Sequence, residues 1–205
     1  DFMTEYFKFI PTHYNVWDCK DISVIRTPEP LEPTIAPFDV AKQRMHEFTF
    51  GMFDKPLNPA VTTPFPFSNV LFAGGAAAKI LAAEYNHKNA RQSDVDLFVF
   101  AKSHADRSRI FEEIINWFKT YGVETATKSY YALRGSVTTI YVKNIARKFQ
   151  VISINCSTPL DVIGRFDLSH IQWCVWNGQF FGTPEGCKAN RERVTRFGNT
   201  HRLKT

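Results

Sequence analysis

The stretch from Leu71 to Phe100, LFAGGAAAKILAAEYNHKNARQSDVDLFVF, constrains the fold more than any other part of the chain. It reads as an apolar strand, a Gly-Gly turn, a helix, a polar loop, and a second apolar strand carrying Asp94-Val95-Asp96. Residues i and i+2 of a strand share a face. Asp94 and Asp96 therefore project side by side, with Cα atoms roughly 6.5–7 Å apart at ~3.3 Å rise per residue. Two carboxylates at that spacing can grip one divalent cation or a close pair, and acids followed by Leu97-Phe98-Val99-Phe100 are costly to bury without one. Gly74-Gly75 does a different job: with no Cβ, its backbone can approach a phosphate closely. The helix that follows is expected to turn its N–H groups and positive end to the same place. A phosphate cradle beside a metal-binding acid pair points to chemistry on a nucleoside triphosphate.

The 205 residues suit one domain with an appended arm, and a hydrophobic content of 44% with 15% aromatics describes a folded chain. No apolar run approaches the ~20 residues of a membrane span. The opening DFMTEYFKFIPTHYNVW lacks the order of a signal peptide, and a first residue Asp1 leads us to expect a longer parent polypeptide. Cys19, Cys156, Cys174 and Cys187 form no CxxC pair and fit reduced thiols, so an intracellular, cytoplasmic setting is expected, an infected host cell included. His170, Cys174 and Cys187 lack a fourth ligand at zinc spacing.

Residues 1–67 are the least regular third: short aromatic runs, prolines from Thr27 to Pro37, then a helix expected from Asp39, as cap, to Phe53. We expect an irregular N-terminal arm packed on the core. His104 to Tyr121 has the apolar spacing of a helix through Ile110, Ile114, Trp117 and Phe118, with Gly122 as the stop. Tyr130–Leu133, Val137–Val142 and Phe149–Ile154 read as strands, Pro159–Phe166 as a short helix capped by Thr158, and Ile171–Phe181 as a hairpin turning at Asn177-Gly178. This order of elements gives an α/β (α+β) domain with a mixed sheet flanked by helices. The core is expected over 68–187, followed by a basic segment, 188–205. There Lys188, Arg191, Arg193, Arg196, Arg202 and Lys204 face only Glu192, which suits RNA or a solvated helix face.

Ala73-Gly74-Gly75 followed by Ser93-Asp94-Val95-Asp96-Leu97 resembles the signature of the DNA polymerase β-type nucleotidyltransferase superfamily. Eighteen residues separate Gly75 from Asp94, more than that superfamily usually shows, and the excess fits the polar NHKNARQ loop. The segment from Gln150 through Phe166-Asp167 to Asn177-Gly178 resembles a subgroup found in viral and ankyrin-containing proteins. The resemblance implies a nucleotidyltransferase-like core and Mg²⁺ or Mn²⁺ on Asp94 and Asp96. It implies an NTP, ATP first, held by Gly74, Gly75 and Ala76, with Lys88 and Arg91 neutralising charge. Active members carry a third carboxylate on a neighbouring strand. Here the matching position is Gln150, and Asp167 is the other acid that could complete the metal site and join the catalytic set. The implied reaction moves a nucleoside monophosphate onto a hydroxyl of RNA, a protein or a small molecule. The alternative is an inactive module of the same fold that binds nucleotide, RNA or a protein partner.

Overall fold

In a computed structural model, residues 14–15, 36–54, 65, 68–121, 125–132, 135–143, 145–166, 168–176 and 179–192 are described. The fold is α/β, a mixed sheet of eight strands flanked by helices. The strands are β1 (Tyr14–Asn15), β2 (Val70–Ala73), β3 (Val95–Val99), β4 (Thr125–Ala132), β5 (Gly135–Val142), β6 (Lys148–Ile154), β7 (Trp173–Trp176) and β8 (Gln179–Gly182). They lie in the order β1-β8-β7-β2-β3-β6-β5-β4. The β3–β6 pair is parallel, and the other pairs among the described residues are antiparallel.

The central strands are apolar on both faces because both faces are covered. Val70 and Phe72 of β2, Val95, Leu97 and Val99 of β3, and Trp173 and Val175 of β7 enter the larger core. There they meet α1 (Phe38–Phe48), α2 (Gly75–Leu81) and α4 (His104–Tyr121). Ile114 and Phe118 of α4 are fully buried, each contributing roughly 1.5–3 kcal/mol. The alternate residues, Leu71 and Ala73, Phe98, Cys174 and Trp176, form a second core with Val162 and Ile163 of α5 (Pro159–Ile163). Asp96 alternates with Leu97 and so belongs to this second face, in line with Phe98.

Several boundaries differ from the sequence reading, each for a local reason. The first helix begins at Phe38 behind Pro37, with Asp39 in its first turn and not at the cap. It stops at Phe48 because Phe50 and Gly51 take positive φ, 55° and 66°, which a helix cannot continue through. The polar loop before β3 contains a short helix, α3 (His87–Arg91), begun by Asn86, whose side chain accepts the Asn89 N–H at 3.0 Å. α4 has the expected bounds, and Ser103 Oγ and Asp106 cap its start reciprocally. α5 is shorter than expected, ending at Ile163, with Thr158 Oγ1 accepting from the Asp161 N–H. The last hairpin pairs Trp176 with Gln179. A last helix, α6 (Pro184–Glu192), crosses the expected end of the core. Among the described residues no helix is long and apolar enough to cross a membrane.

Candidate metal and nucleotide site

β3 is short and central, held by β2 on one side and β6 on the other. Its ladder with β6 begins at Val95, so Asp94 stands just before the strand and Asp96 inside it. The consequence for Asp96 is electrostatic. Burial, and then the neighbouring Asp94 charge, push its pKa from 3.8 up to about 7. Its Oδ1 is buried without a hydrogen-bond partner among the described residues. A buried carboxylate oxygen normally has a partner. A cation shared with Asp94 would supply one and relieve the repulsion, so the donor set fits a divalent metal.

β2 delivers the glycines to the neighbourhood of β3. Gly74 has φ 92°, a backbone state that L side chains rarely adopt, and its N–H donates to Trp173 O. A Cβ added at Gly74 or at Gly75 would meet nothing within 4 Å. Neither glycine is therefore demanded by close packing, and both border open space. Ala76 behind them is buried in the larger core.

The other expected residues fall as follows. Gln150 pairs in register with Asp96 across the parallel ladder, and its Nε2 donates to Thr139 Oγ1 on β5 at 3.5 Å. Lys88 and Arg91 are exposed on α3. Asp167 lies outside the described residues, as do Gly122, Asn177, Gly178 and residues 193–205. Among the described residues, no three His, Cys, Asp or Glu side chains gather in a group that could hold a metal. Cys174 is buried in the second core, where burial pushes its thiol well above the usual range.

A family model described as "Gad2: Gabija anti-defense 2 family protein" matches residues 39–193. The chain belongs to that family. The matched span takes in α1, the glycine turn, the acid pair and Gln150, so the whole candidate site belongs to the Gabija anti-defense 2 module. No protein of curated function matches it. Among solved structures, it is similar to a CCA-adding enzyme in complex with CTP, at TM-score 0.48 and 13% identity over 82% of this chain and 37% of that one. It is also similar to the Bacillus stearothermophilus CCA-adding enzyme in complex with CTP, at TM-score 0.39 and 14% identity over 63% of this chain and 29% of that one. A third is Cid1, described with RNA terminal uridylyl transferase activity, at TM-score 0.33 and 16% identity over 62% of this chain and 32% of that one. Identities this low carry no residue roles across.

Two basic residues escaped the sequence reading. Lys79 of α2 donates from Nζ to Ser93 Oγ, one residue before Asp94, and Ser93 Oγ in turn donates to Asn89 O. Arg147, at the entry to β6, is 7% exposed and bonds three backbone carbonyls, one of them that of Ser93. Lys79 could have been found from its place on the helix after the glycines. Nothing in the local sequence around Arg147 marks it.

Proposed function

We propose that the chain is a metal-dependent nucleotidyltransferase that moves a nucleoside monophosphate from an NTP to a hydroxyl acceptor. The observation that carries this reading is the Asp96 carboxylate, buried beside Asp94 with one oxygen unpartnered and its pKa pushed to about 7. Asp94 and Asp96 hold Mg²⁺ or Mn²⁺ in this reading, with Asp167 as the third carboxylate. A cation bound there neutralises triphosphate charge and acidifies a coordinated hydroxyl. The open space over Gly74 and Gly75 lets phosphates approach the backbone at those residues and Ala76. Lys79, steadied by Ser93, adds positive charge beside the acids, and the exposed Lys88 and Arg91 add more. ATP is the first choice of nucleotide. The acceptor is an RNA 3′ end, which suits the basic segment 188–205, or a protein or small-molecule hydroxyl, which suits the compact core.

The family description names an anti-defence role against Gabija. We extend it to this chain, in keeping with the viral setting that the segment from Gln150 to Gly178 resembles, and place the acid pair at the centre of it. One observation favours a second reading, a module that binds nucleotide, RNA or protein without turnover. Gln150, in register with Asp96, is a neutral amide that cannot act as a base at neutral pH.

The test measures Mg²⁺- or Mn²⁺-dependent incorporation of labelled NTPs into RNA and into protein. The parent chain is compared with an Asp94→Ala/Asp96→Ala variant and with Asp167→Asn. The reading expects incorporation by the parent and none by the double variant, with Asp167→Asn impaired while keeping its melting temperature. Nucleotide binding without incorporation selects the second reading. Equal metal–ATP binding by the parent and the double variant sinks the first reading, because the acid pair then holds no cation that the nucleotide needs.

A further inference from the structure

We propose that Arg147 is the positioning residue that holds Asp94 in place for the cation, an inference that rests on the metal-binding role given above to Asp94 and Asp96. Asp96 is fixed by its ladder pair with Gln150 on β6, but Asp94 precedes the first pair of that ladder and has no such support. Its backbone is instead held one residue upstream. Arg147 Nη1 donates to Ser93 O and to Ala90 O, while Nε donates to Phe48 O at 3.0 Å. The guanidinium also lies over the Phe48 ring, 3.8 Å from its centre. These carbonyls sit at or just beyond the ends of α1 and α3, where helical C=O groups have few partners of their own, although Ala90 O also accepts the Ser93 N–H. A planar fork of donors can satisfy several at once, which an ammonium cannot do with the same geometry.

Packing alone does not explain this choice of residue. A buried cation is expensive unless paired, and no ion pair to Arg147 is present among the described residues. Its charge is offset by three carbonyl dipoles and by the negative field of Asp94, which opposes the lowering of its pKa by burial. Arg44 provides an internal comparison. It also bonds helix-end carbonyls, Ile80 O and Ala82 O, and lies 4.6 Å from the Tyr85 ring centre, bracing α1 to the end of α2. Arg44 makes none of its bonds to the segment that leads into Asp94. The two arginines thus brace the same helix, and of the two only Arg147 bonds the residue that precedes Asp94.

The experiment follows Mn²⁺ binding to the full chain by the electron paramagnetic resonance of the free ion. Parent, Arg147→Lys and Arg44→Lys are each read at a temperature where circular dichroism reports them folded. Arg147→Lys is expected to lose Mn²⁺ affinity by about tenfold or more, the usual cost of removing a group that orients a metal ligand. Arg44→Lys is expected to melt earlier and keep the parent's Mn²⁺ affinity. Parent-like Mn²⁺ binding by Arg147→Lys, or equal losses in the two variants, overturns the inference, because a role in stability alone predicts either. If the parent itself binds no Mn²⁺, the metal reading fails and the positioning role falls with it. Should Arg147→Lys not fold, Arg147→Gln, which keeps two amide donors, is read by the same criteria.

Discussion

Gln150 on β6 lies directly across the parallel ladder from Asp96 on β3, and its amide nitrogen is committed to Thr139 Oγ1 on β5. A single row of side chains thus runs across three strands from charged to neutral. The position that would bring a third carboxylate closest to Asp96 carries an amide, already tied to its other neighbour. The row sets how much negative charge this part of the sheet holds, and the first predictions vary that charge.

Asp96→Asn should abolish the loss of stability with rising pH that the metal-free parent shows. The Asp96 pKa is raised in the folded chain from 3.8 to about 7, so between those values the native state holds a proton that the unfolded state releases. Stability is therefore lost as pH rises through that window. At about 1.4 kcal/mol per tenfold change in proton affinity, the loss has an upper limit of roughly 4 kcal/mol. In melting experiments with chelator, Asp96→Asn should exceed the parent at pH ~8 and match it near pH ~4. A parent melting temperature that stays level across this range contradicts the burial argument.

Gln150→Glu should make the metal-free chain weaker and the metal-bound chain tighter. A third carboxyl beside Asp96 adds like charge and gives up the bond to Thr139, costing on the order of 1–3 kcal/mol in chelator. Mn²⁺ should restore the melting temperature and bind more tightly than in the parent. Loss of stability that Mn²⁺ does not recover would mean that Gln150 faces no cation site.

Gly75→Ala and Gly74→Ala should separate binding from folding. At Gly75, the first residue of α2, the added methyl meets open space, so stability should hold or rise slightly. Gly74 has φ 92°, and a side chain there should cost on the order of 1–3 kcal/mol. Both should weaken ATP binding in calorimetry. Parent-like ATP affinity in Gly75→Ala and in the bulkier Gly75→Val would remove the phosphate role of the turn.

Neutralising Arg191, Arg193 and Arg196 together should flatten the salt dependence of RNA binding, by about 0.7 of a log–log unit per lost contact to a single strand. An unchanged slope in filter binding excludes the C-terminal segment as the RNA contact.

The parts of the site that could be read from sequence are those that local chemistry encodes. Alternating Asp94, Asp96 and apolar neighbours fixes the face of a strand, and Gly74-Gly75 announces a turn. The bounds of α4 follow from its apolar stripe. The resemblance to the nucleotidyltransferase superfamily was enough to set Gln150 against the acid pair. α3 was missed because five residues are too few for a helical period, leaving Asn86 as its sole signal. Arg147 was invisible for a different reason. Its partners are backbone carbonyls 54, 57 and 99 residues away, and a carbonyl has no residue type to recognise.

The parallel pairing of β3 with β6 also bears on the order of assembly. The β4–β5 hairpin joins neighbours in sequence, whereas β3 can meet β6 only after the chain has passed through α4 and that hairpin. Such distant contacts come late in folding. Until they form, Asp94 and Asp96 remain hydrated and repel one another weakly. Interactions absent from the transition state alter the rate of unfolding and leave the rate of folding unchanged. A cation held by the acid pair would therefore work as a latch on the finished sheet, slowing the opening of the protein without hastening its closing.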